Sequence, residues 1–200
     1  MHLISIPPKP PLLALFTLSI GLLFTSCSDL KEIDNKYLTI QVPKDYMDMT
    51  DFDNEDVLFL DRLGEDGLES ILSIDNEVDF ITQPNSQTIQ EDTPVEVLAR
   101  RLRSIEDAAE NDPNFRWTRF RLVEEARATT FKGLPAAEGV FEVQEYMKRT
   151  DQVVTRRVKR IVIFMEDDLW NIVLAPSRLQ RYTTEMEVFE VALESMIIKN

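Results

Sequence analysis

Nucleophilic, acid-base and metal chemistry leans on histidine and cysteine, and this chain has one of each, His2 and Cys27. His2 precedes Lys9 and an uncharged run, Leu12 to Phe24, in the n-region and h-region order of a secretory signal. Removal of such a signal takes the only histidine with it, and a lone cysteine has no intramolecular disulfide partner. A single chain so equipped has no Ser-His-Asp or Cys-His nucleophile system and no His/Cys zinc or copper site. Carboxylate, Lys, Tyr and Ser chemistry remains.

Glu124-Glu125 and Asp167-Asp168 are the candidate carboxylate pairs for cleaving a glycosidic bond. Neighbours in a strand point to opposite faces, so neither pair is a natural dyad. Residues 51–56 (DFDNED) begin like a calcium loop. Asp56 stands where an EF-hand needs glycine and Arg62 where it needs glutamate, so a solvated acidic loop is the reading. Acids crowd residues 45–80, where Arg62 is the only base; residues 148–160 reverse this, with Asp151 the only acid. Among those bases Arg149, Arg156, Arg157, Lys159 and Arg160 are candidate partner-binding residues, because a positive face there would take an acidic partner or a phosphate. The preferred alternative is that they compensate the protein's own acids, given a net charge of −14. Arg116-Trp117-Thr118-Arg119-Phe120-Arg121 has the basic and aromatic interleaving that stacks bases or sugars. In so acidic a chain it reads as a strand with one apolar face, and Trp170, Ile172 and Leu174 read as core. Nucleic acid is a poor partner, and no cofactor or metal site is expected.

The segment Leu23-Phe24-Thr25-Ser26-Cys27 resembles a bacterial lipobox, with Phe24 where Leu, Val or Ile is usual. The resemblance implies that Cys27 is acylated and holds the protein to a membrane of the cell envelope. The expected organisation is a signal peptide over 1–26, a lipidated tether over 27–36 and one domain over 37–200. The acidic balance leaves membrane attachment to the acyl chains.

The elements of that domain follow from periodicity. Leu38, Ile40 and Val42 alternate with polar residues before Pro43, which predicts a strand. Strands at 57–60 and 68–74 flank the turn signal Gly64-Glu65-Asp66-Gly67. Thr93-Pro94-Val95-Glu96 has the form of a capping box, and Val95, Leu98, Leu102, Ile105 and Ala109 follow at helical spacing. Further strands are predicted at 115–123, 126–131, 140–146, 154–165 and 169–175. A last helix follows, with Thr184 and Glu187 as a second capping box and Met186, Phe189, Leu193 and Met196 on one face. Such grouping points to an α+β domain, an antiparallel sheet covered by two helices, since parallel strands would each need a crossover.

The opening strand with Tyr37, Ile40, Val42 and Pro43 and Tyr46 after it, the segment Thr130-Phe131-Lys132-Gly133-Leu134-Pro135-Ala136, the late hairpin and the final helix together resemble the PsbP-like fold. That fold includes DcrB-like bacterial lipoproteins. The resemblance spans roughly 37–198 and implies a non-catalytic binding, adaptor or accessory protein with an envelope protein as partner. With no histidine left in the domain, the metal sites of the photosynthetic members do not carry over. A carrier of a small apolar ligand and a carboxylate-based hydrolase of envelope polymers are the rival readings.

Overall fold

The computed structural model describes residues 29–50, 57–77, 93–165 and 168–199. Residues 1–26, where a signal peptide is expected, Cys27, the acidic segment 51–56 and Asp167 lie outside them. Strands β1 (Leu30–Asp34) and β2 (Leu38–Pro43) form a hairpin that, with a short last strand, makes a three-stranded antiparallel sheet. Strands β3 (Met47–Asp48), β4 (Leu58–Leu63) and β5 (Glu69–Glu77) open a second sheet. Helix α1 (Pro94–Asn111) follows, then four more strands: β6 (Trp117–Phe131), β7 (Leu134–Met147), β8 (Gln152–Met165) and β9 (Asp168–Ala175). Helix α2 (Tyr182–Ser195) and β10 (Ile197–Ile198) end the described chain. The large sheet has the order β3-β4-β5-β9-β8-β7-β6, antiparallel throughout.

β9 explains why the core has two compartments. It is the middle strand of the seven in the large sheet, and its two sides are apolar in alternation. Trp170, Ile172 and Leu174 face α2 and the small sheet, whereas Leu169, Val173 and Ala175 belong to the cluster under α1. A strand buried on both faces reads as a near-continuous apolar run. The helices therefore lie on opposite faces. α1 packs over β6, β7 and β8, and a side chain at Gly139 would come within 3.1 Å of the Leu102 side chain, which is how closely helix and sheet approach. α2 packs on β2, and its Met186, Phe189 and Leu193 share a cluster with Leu58 and Leu60 of β4, Leu72 and Ile74 of β5 and the α2-facing residues of β9. Each face of the large sheet is thus covered mainly over one half.

Three expectations need correction. Residues 30–34 are not a spacer: they form β1, paired from Leu30↔Pro43 to Asp34↔Thr39, with Ile33 packed on the core. The two strands expected at 115–123 and 126–131 are one strand, β6, with register shifts between Thr118 and Arg121, between Leu122 and Glu124, and between Glu124 and Arg127. Glu124 marks a bulge where the sequence suggested a gap, since a bulge inserts a residue without ending the pairing. Thr184 does not cap α2, which begins at Tyr182 out of a 3-10 turn and has no side-chain cap. Glu185 acts instead: buried, it accepts hydrogen bonds from the Ser177 amide at 2.6 Å and hydroxyl at 2.8 Å, tying the helix to the end of β9. The Thr93 capping box of α1 forms as expected.

Candidate binding surface on the large sheet

The basic run of β8 has to be read with strand alternation. Even-numbered side chains of β8 face α1 and odd-numbered ones the α2 side, so Arg156 and Arg160 point one way and Arg157 and Lys159 the other. Arg149 sits in the exposed tip between β7 and β8. The single positive face that the run suggested is not assembled, because period-two geometry divides it. β7 supplies glutamates on both faces, and each stands between a base of β8 and an arginine from the β6 side.

On the α1 face, Glu145 forms an ion pair with Arg156, its Oε2 2.6 Å from Nε, and also pairs with Arg116. Arg156 has 0% exposure. Its Nη1 donates to the carbonyls of Glu69 at 2.7 Å and Pro176 at 3.2 Å. Burial lowers its pKa, and Glu145 opposes that shift. Arg160 donates to Asn171 Oδ1 at 2.7 Å, and burial, then repulsion from Arg101, lower its pKa to about 10.

On the opposite face, Glu142 accepts from Arg157 at 2.7 Å and from Arg121 Nε at 3.1 Å. Glu138 accepts from Lys159 at 2.8 Å and Arg127 at 2.7 Å. Burial alone would raise both carboxyls, but their basic partners outweigh it and hold them below the usual carboxylate range. Arg157 also lies over the Tyr182 ring, 5.2 Å from its centroid. A groove of about 300 Å³ separates Glu190, Leu193 and Glu194 of α2 from Thr129, Glu138 and Lys159. Beyond it this half of the sheet is open: Arg121, Tyr146 and Val153 are exposed.

The aromatic-basic segment behaves as a strand with one apolar face. Phe120 stacks on Phe141 at 5.3 Å and Trp117 tilts against it at 5.6 Å, while Arg119 and Arg121 stay exposed. A second groove of about 300 Å³ lies between α1 and the edge strand, floored by Leu102, Phe120 and Leu122 and rimmed by Arg103, Glu106 and Glu125.

Among the described residues two carboxyls are raised, Asp61 by burial and then by Glu69, and Asp75 by burial and then by Glu77. Asp61 lies opposite Ile71, and Asp75 is four residues further along β5, about 13 Å at a strand's rise. That exceeds the ~5–9.5 Å between glycosidase carboxyls. Among the described residues no group of His, Cys, Asp and Glu is placed to hold a metal ion. No helix among them is long and apolar enough to cross a membrane.

The β7 glutamates do not stand out in the sequence, because three acids spaced along a strand are less conspicuous than a run of bases. Their signal was present: Glu138, Glu142 and Glu145 occur in a strand between two strands carrying arginines.

No protein-family model matches the chain, and no curated protein matches its sequence. Solved structures do match. A Pseudomonas aeruginosa protein of unknown function is 10% identical with a TM-score of 0.48, covering 86% of this chain and 99% of its own. LpqN of Mycobacterium tuberculosis, involved in cell envelope biogenesis, is 12% identical with a TM-score of 0.46, covering 86% and 91%. Cyanobacterial PsbP from Synechocystis is 16% identical with a TM-score of 0.57, covering 88% of this chain and 96% of its own. At that identity the likeness is one of architecture, and the α+β domain described above has the PsbP-like fold.

Proposed function

We propose that this chain is a non-catalytic accessory protein of the bacterial cell envelope, acylated at Cys27, that binds another envelope protein through the open α2-side half of β6, β7 and β8. The observation that carries this reading is the pair of clusters Arg121-Glu142-Arg157 and Arg127-Glu138-Lys159 on a face that α2 borders and that no helix among the described residues covers. Both signs are displayed at fixed positions, which favours specificity and register in a protein contact over bulk attraction. The same clusters speak against catalysis, since glutamates held ionised by two bases are poor general acids.

A photocrosslinker at Gln144, on the open face, should capture one reproducible envelope protein in native membranes. The same group at Val191, exposed on α2, should not. Equal capture from both positions, or none from Gln144, would overturn the reading. The groove between α1 and β6 favours the carrier of a small apolar ligand as a second reading, and native mass spectrometry showing a co-purified ligand displaced by Leu122→Arg would support it.

A further inference from the structure

β1 fixes how close Cys27 lies to the folded domain. Because pairing begins at Leu30, three Cα steps separate it from Cys27, and an extended chain spans at most about 11 Å over that distance. An acyl chain on Cys27 therefore holds one particular end of the domain at the bilayer.

Contacts identify that end. The Lys44 amide donates to the Asp29 carbonyl at 2.8 Å, and the Tyr46 hydroxyl lies 3.2 Å from Ser70 Oγ, opposite Arg62. The β4–β5 turn lies beside it, and at Gly67 a side chain would meet the Thr150 methyl at 2.9 Å. Thr150 belongs to the tip between β7 and β8. The start of the described chain and this hairpin tip thus share one end of the molecule.

We infer that the β7–β8 tip is a second membrane contact, resting on the lipid headgroups beside the anchor; this rests on the acylation proposed above. Tyr146 and Val153 face each other across the hairpin and are 55% and 63% exposed, an unusual outlay of apolar surface for two adjacent positions. Tyrosine is favoured at the bilayer interface, where its ring is half immersed and its hydroxyl stays wet. Lys148 and Arg149 follow at the tip, both exposed. Neither forms an ion pair among the described residues, and ammonium and guanidinium groups suit lipid phosphates. The end also carries exposed acids, Asp29, Asp45, Glu65 and Asp151. The anchor supplies the attachment, and the tip sets the orientation.

The only native thiol is consumed by acylation, so a new cysteine is a unique label site. Val153→Cys and Thr130→Cys each carry an environment-sensitive fluorophore on the acylated protein. Thr130 pairs with Pro135, eleven residues along β7 from Tyr146 and about 37 Å away. Vesicles contain equal parts phosphatidylcholine and phosphatidylglycerol with brominated acyl chains near the headgroup. Label at 153 should lose most of its emission and label at 130 none. Vesicle-bound protein with 153 unquenched, or with both positions quenched alike, overturns the inference. Intact mass separates the other failure: protein that lacks the acyl group and stays unbound overturns the anchor, and this inference with it.

Discussion

Arg156 and Arg157 are adjacent in β8 and face opposite sides of the sheet. Arg156 is sealed under the α1 side with Glu145, three backbone carbonyls and the Met147 sulfur around it. Arg157 lies on the open side, sharing Glu142 with Arg121 in partial contact with water. The same residue type and the same strand yield a folding element on one side and a displayed charge on the other. What differs is solvent, because desolvation makes an unpaired charge costly inside and cheap outside.

The largest test of this contrast is Arg156→Met, which leaves Glu145 buried with only Arg116 beside it. It should destabilise by about 3–5 kcal/mol in urea unfolding, and adding Glu145→Leu should recover a substantial part. Next comes the response to acid. Glu142 and Glu138 have depressed folded pKa values, so the unfolded state binds protons first as pH falls. Their stabilisation is present above the ordinary carboxylate pKa of 4.5 and is lost as pH drops below it through the folded values. Glu142→Gln combined with Glu138→Gln should flatten that acid limb of a stability-versus-pH curve. If the limb keeps its slope, other carboxyls carry it. Smallest is Arg157→Gln, expected within about 1 kcal/mol of the parent and less distinguishable still at high salt.

The same contrast marks what could be read from sequence. Capping at Thr93 and the alternation of Leu38, Ile40 and Val42 are local signals, and the structure follows them. The α+β class came from the grouping of such elements. β1 escaped because only Leu30 and Ile33 are apolar in it, and its strand state comes from pairing with β2. The start of α2 was misplaced because a 3-10 turn supplied the entry that capping chemistry was expected to supply. The basic run was visible, but its division between two faces depends on register with β7, and the partners of Arg156 lie as far away in sequence as Glu69. Burial on both sides of β9 was half legible: one alternating set was recognised as core, while the other set needs α1 across it.

In the proposed function the open half of the sheet serves an interaction and the sealed half serves the fold. Measuring urea unfolding and crosslinked partner yield side by side for Arg156→Met and Arg157→Gln tests it most directly. The expected result is a large loss of stability for the first. For the second it is near-parental stability with at least a severalfold loss of partner from the Gln144 crosslinker. An Arg157→Gln protein that keeps both its stability and its partner would contradict the claim.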